Sequence, residues 1–127
     1  MCNINLIYNK KKISTKLLSE VMNTMSFLSW QSNNDGEGYF GLTDNGLTML
    51  RNIKKLRFVN PYYLLSTHQR LATKGRKNQD NAHPHLTDSL LIEHNGNFSN
   101  LGDENFSDTY YYIQLLDNAY KKNGNKE

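Results

Sequence analysis

Cys2, the only cysteine in the chain, stands directly behind Met1. Removal of an initiator methionine leaves a thiol and a free α-amine on one residue. An α-amine titrates near ~7.7–8.0, so it serves as a base near neutral pH and can take the thiol proton directly or through a water. The plainer reading of a single cysteine is a small buried hydrophobe. Arg70, with His68, Thr67 and Thr73 around it, carries a planar fork suited to a carboxylate, or else makes a structural ion pair. Asn95–Gly96 is the dipeptide of the commonest hairpin turn. It also offers an amide side chain and a backbone N–H that glycine lets approach a ligand, which is how an oxyanion is held. Asp108 is a first-turn carboxylate favoured by a helix dipole, and it can equally bind an ammonium group.

All four histidines, His68, His83, His85 and His94, fall between Leu64 and Asn100. His83-Pro84-His85 sets two imidazoles at i, i+2, but the proline between them and the lack of a nearby carboxylate pattern argue against a metal. No metal and no cofactor are expected.

Elements must bring these residues together. Cys2–Tyr8 alternates as a strand, and Lys10–Lys12 reads as a solvated turn. Ser14 or Thr15 caps a helix with Leu17, Leu18, Val21, Met22, Met25 and Leu28 at helical spacing. Gln31–Gly38 is a loop. Tyr39–Thr43 and Leu47–Arg51, joined through Asp44-Asn45-Gly46, form the clearest hairpin. Tyr62–Thr67 and Ser89–His94 are the next strands, each opening into a polar segment, the usual place for binding groups. Ser107 caps a second helix carrying Tyr112, Leu115, Leu116, Ala119 and Tyr120 on one face. The tail Lys121–Glu127 is polar and expected to fray. The order βα–ββ–ββ–α predicts an α+β layered domain.

Length, 127 residues, bounds the chain to one domain, and a mean hydropathy of −0.74 allows only a modest core. The net charge of +3 is too weak to argue for nucleic acid. The basic residues lie between strands without aromatic interleaving, so no nucleic-acid partner is expected. One cysteine rules out an intrachain disulfide framework and cysteine-rich zinc patterns. No apolar run reaches membrane-spanning length, and no signal peptide is visible, so a cytoplasmic setting without membrane contact is expected.

Taken in order, these pieces resemble the glutaminase domain of class II glutamine amidotransferases, which belong to the N-terminal nucleophile hydrolases. The family's Met-Cys-Gly-Ile opening stands here as Met1-Cys2-Asn3-Ile4. Its Arg-Gly-x-Asp-x-x-Gly loop is similar to Ser32–Gly38, and its His-x-Arg-x-x-Thr-x-Gly segment to His68, Arg70, Thr73 and Gly75. Asn81-Ala82-His83-Pro84-His85 resembles a segment of the glucosamine-6-phosphate synthase branch. His94-Asn95-Gly96-Asn97 with Asn100, and Ser107-Asp108-Thr109, resemble two further family motifs. The resemblance spans Cys2 to about Leu116.

It implies a four-layer αββα sandwich of which residues 1–127 form a single truncated domain, the first half or slightly more. It also implies hydrolysis of glutamine to glutamate and ammonia, the ammonia going to an acceptor. Cys2 would be the nucleophile, with Asn95 and Gly96 as the oxyanion hole. Arg70 would bind the glutamine α-carboxylate and Asp108 its α-ammonium, with Thr73 and His83 shaping the pocket. The alternative is an inactive relative that binds an amino acid or a partner protein. The family glycine after the nucleophile is Asn3 here, and the loop arginine is Ser32. A chain with part of the sandwich leaves sheet edges unpaired, so marginal stability is expected, with self-association or a protein partner carrying an acceptor or synthase domain.

Overall fold

The computed structural model describes residues 1–124. A four-stranded antiparallel sheet forms the centre, from β1 (Asn3–Ile13), β2 (Glu37–Thr43), β3 (Gly46–Asn52) and β4 (Tyr62–Gln69), in the order β1-β4-β2-β3. Two helices cover one face: α1 (Thr15–Glu20), capped by the Ser14 hydroxyl, and α2 (Met22–Trp30). Beyond the other face lie a short ribbon, β5 (His85–Leu86) with β6 (Leu91–Ile92), and the helix α3 (Asp108–Asn123). The architecture is mixed α+β, as the pattern of the sequence predicts.

The apolar core lies between the sheet and the first helices: Ile13, Leu18, Met22, Phe58, Tyr62 and Leu65, with Tyr39 packed edge-on against Phe58 and Tyr62. The rest of that interface is polar. Glu37 is fully buried and accepts hydrogen bonds from the Ser26 hydroxyl, Leu56 N–H and Gln69 Nε2. Asn5 Nδ2 donates to Gln69 Oε1 at 3.0 Å, and Asn3 Nδ2 to Ser29 Oγ at 2.8 Å. Every carboxylate oxygen of Glu37 thus has a donor, which is the condition for burying it.

Several expectations are corrected. Lys10–Lys12 is no turn: β1 runs on to Ile13, with its register shifting between Tyr8 and Ile13. The single helix over 15–30 is two, broken at Val21. Its buried stripe is Leu18, Met22, Ser26 and Ser29, whereas Leu17, Met25 and Leu28 are exposed. The cause is the polar network, which turns serines toward the sheet. On α3 the buried residues are Asp108, Thr109, Ile113 and Asp117, whereas Leu115, Ala119 and Tyr120 are exposed. Asp117 is held by the Thr87 hydroxyl (2.8 Å) and Lys121 (2.7 Å). The strand expected over Ser89–His94 is only β6, and β5 was not expected. Of the tail, Lys121–Asn123 completes α3; residues 125–127 lie outside the described residues.

Gly38 explains how the outer layer lies so close to the sheet. A Cβ there would stand 1.7 Å from the His83 carbonyl oxygen. Only a residue without one lets the Asn81–His85 backbone cross β2 at this distance.

Candidate active site

The register of β1 against β4 pairs Asn3 with Gln69, so Cys2 falls beside the end of β4. Leu71 N–H donates to Cys2 Sγ at 3.4 Å, and Sγ lies 3.6 Å from the Leu71 carbonyl. Asn3 directs its side chain to Ser29 on α2.

Arg70 is buried at the end of β4. Its guanidinium donates to the carbonyls of Lys74 (2.6 Å) and Arg76 (3.0 Å). Burial lowers its pKa, with Cys2, Asp35 and Asp108 opposing. Arg70 is therefore no surface charge, and among the described residues it makes no ion pair with a carboxylate. Asp35 braces the same turn: its N–H donates to the Arg70 carbonyl, and its carboxylate accepts from Ala72 N–H (2.8 Å) and pairs with Lys77 (2.6 Å). Burial opposes the Asp35 charge, but Lys77, the Ala72 N–H and Arg70 hold its pKa below the ordinary value. Lys77 thus supplies a cation to the Gln31–Gly38 loop through Asp35.

His68 and His83 are stacked with ring centroids 3.9 Å apart, and His85 meets His83 edge-on at 4.7 Å. Burial depresses all three: His68 to about 4, His85 to about 3, and His83 well below its ordinary value, the other histidines and Arg70 adding to the effect. They are neutral across the usual pH range. Two of them fix the backbone on both sides of one residue. His94 N–H donates to His83 Nδ1 at 3.1 Å, and His68 Nε2 donates to the His94 carbonyl at 3.0 Å. The His94 ring meets Thr109 Oγ1 through Nδ1 (3.1 Å) and stacks on Phe98. Among the described residues no group of three or more His, Cys, Asp or Glu side chains is disposed to hold a metal ion.

Asn95–Gly96 is not a hairpin turn. The strand β6 ends at Ile92, no strand follows it in the ribbon, and Gly96 does not adopt a positive φ. A Cβ on Gly96 would lie 2.6 Å from His94 Nε2, so a larger residue here would have to shift the imidazole that Thr109 and Phe98 hold. Asn95, Gly96 and Asn97 are all exposed. Asp108, capped into α3 by Ser107, accepts from Phe98 N–H (2.6 Å) and from its neighbour Thr109 N–H (2.8 Å).

Two cavities abut at Cys2, Leu71, Thr73 and Gly96. The inner one, about 20 Å³, reaches Arg70, His83 and Asp108; the outer one, about 260 Å³, reaches Met1 and Asn95. Together they take in Cys2, Arg70, Thr73, His83, Asn95, Gly96 and Asp108. Lys74, which also lines the inner cavity, was missed; its only signal was its place between Thr73 and Gly75.

Over 53 residues the chain is 45% identical to the glutamine–fructose-6-phosphate aminotransferase (isomerizing) of Mesorhizobium japonicum. That stretch covers 39% of this chain and 9% of that enzyme's length. No family model matches the chain. No solved structure matches it. Among the described residues no helix is long and apolar enough to cross a membrane. The chain carries, over part of its length, a likeness to a glutamine amidotransferase.

Proposed function

We propose that this chain is a class II glutamine amidotransferase-like glutaminase with an N-terminal-nucleophile-hydrolase-like fold. The observation that carries the reading is the convergence of Cys2, Arg70, Thr73, His83, Asn95, Gly96 and Asp108 on two adjoining cavities. Partial likeness to a glutamine-using aminotransferase supports it. So does the succession of helix pair, sheet, ribbon and α3.

After Met1 removal the Cys2 amine takes the thiol proton, and sulfur attacks the side-chain amide carbon of glutamine. Asn95 Nδ2 and Gly96 N–H stabilise the tetrahedral oxyanion. The α-ammonium returns its proton to the leaving nitrogen, ammonia departs, and a thioester remains. Water then cleaves the thioester, releasing glutamate and the thiol. Arg70 and Asp108 hold the two ends of the zwitterion, which fixes the amide over sulfur, and Thr73 and His83 line the pocket. Ammonia passes to an acceptor, carried by this chain's partner or by a further domain.

Mass spectrometry of the purified protein with an electrophilic glutamine analogue tests the proposal, alongside ammonia release from glutamine. Loss of Met1 and one adduct on Cys2 are expected. Absence of both adduct and ammonia sinks it. Two observations favour a non-catalytic module instead: Arg70 and Asp108 already engage backbone groups, and the inner cavity is about 20 Å³, little more than one water requires. Saturable glutamine binding without ammonia release is its signature.

A further inference from the structure

The Asn95–Asn97 segment has no regular structure, yet both of its flanks are held. On the leading side, His83 and His68 grip the N–H and carbonyl of His94. On the trailing side, Asp108 accepts the Phe98 N–H, and Lys74 takes the carbonyls. Lys74 Nζ donates to the carbonyl oxygens of Phe98 (3.1 Å), Ser99 (2.9 Å) and Leu101 (2.6 Å). An ammonium has three donors, so all three are spent on this one loop. Among the described residues Lys74 forms no ion pair with a carboxylate. Its own carbonyl meanwhile accepts from Arg70.

Lys74 therefore connects two parts of the site that are distant in sequence. We propose that Lys74 is a positioning residue that clamps the Phe98–Leu101 loop and thereby holds the Asn95–Gly96 donor pair over Cys2. The catalytic consequence rests on the glutaminase reading. The mechanical one does not. A point charge drawing three carbonyls to one centre curls the backbone around it, and neither a neutral side chain nor the planar fork of arginine reproduces that convergence. Asp108 holds the Phe98 N–H, and Leu101 N–H closes the turn on the Phe98 carbonyl (3.1 Å), but among the described residues only Lys74 donates to the Ser99 and Leu101 carbonyls.

The test uses the full chain and the variants Lys74→Met and Lys74→Arg, the latter retaining charge should the former not fold. Amide hydrogen exchange and steady-state glutaminase kinetics are measured on each. The expected result is faster exchange at residues 95–101 with β4 amides unchanged. With it, kcat falls about 10-fold or more while KM moves much less, since the donors act in the transition state. Lys74→Arg is expected between parent and Lys74→Met. Parental exchange over 95–101 overturns the clamp. A rise in KM with unchanged kcat overturns its alignment of the donors and makes Lys74 a substrate-binding group. If the unmodified protein releases no ammonia, the glutaminase reading falls while the exchange measurement still decides the clamp.

Discussion

At the scale of single residues, the site separates groups that carry structure from groups free to do chemistry. Arg70 and Asp108 are buried and bonded to backbone, so truncating either one disturbs folding as well as binding. Asn95 is different: it is exposed, and its side chain makes no hydrogen bond within the described residues. Asn95→Ala should leave the melting temperature unchanged and lower kcat by about 10²–10³, the usual cost of one oxyanion donor. Unaltered turnover in that variant removes Asn95 from the mechanism. Cys2 likewise contributes only two weak sulfur contacts with Leu71. Cys2→Ala should abolish ammonia release and keep a native melt, and a variant retaining most of its activity would end the nucleophile assignment.

At the scale of elements, the apolar run Tyr62–Thr67 made β4 legible in the sequence and the Asp44-Asn45-Gly46 turn the β2–β3 hairpin, and Ser14 and Ser107 marked two helix starts. Helix faces were misread for one physical reason. Periodicity assumes that apolar residues face inward, whereas here Ser26, Ser29, Glu37, Gln69 and Asp117 are buried in paired networks. The candidate site was legible as residue types, but the anchoring of His94 and Phe98 depends on contacts between distant segments that no spacing displays. Burial of titratable groups in the outer layer has a pH consequence. Glu93 bonds the Ser66 hydroxyl, its Oε1 is buried without a partner, and burial raises its pKa to about 7. A carboxyl raised in the fold costs nothing in acid. It loses stability as pH climbs from its unfolded value, near 4.5, through about 7, by about 1.4 kcal/mol per unit. The depressed histidines act in the other direction: stability falls as pH drops from about 6.5 towards about 4. Glu93→Gln should flatten the neutral limb, leaving a protein more stable than the parent at pH 8 and unchanged near pH 4. Urea midpoints across pH would check this, and a parental slope in the variant would refute it.

At the scale of the molecule, the sheet is joined to its two coverings by different means. Helices α1 and α2 share the apolar core and the Glu37 network with it. The outer layer has fewer apolar contacts and relies on Asn81, which is fully buried. Asn81 Nδ2 donates to the carbonyls of Arg76 (3.1 Å) and Asn105 (2.7 Å), and its Oδ1 accepts Ser107 N–H (2.7 Å). One amide thus joins the Arg70–Arg76 turn, the loop before α3 and the cap of α3. In Asn81→Ala the Arg76 carbonyl keeps Arg70 and Asn78 as donors, and the Asn105 carbonyl keeps Arg76 N–H. The Ser107 N–H is stranded, and a buried group left unpaired costs roughly 1–3 kcal/mol. Water entering the space relieves part of that, so a loss of about 1–3 kcal/mol is expected. Because α3 also carries Asp108, the loss should surface first as local opening: α3 amides exchange faster while α1, α2 and β4 remain protected. Glutamine affinity should fall with it, Asp108 being displaced from Phe98. Uniformly faster exchange across the chain would show instead that both coverings unfold as one unit, and that Asn81 stabilises the whole fold without tethering one layer.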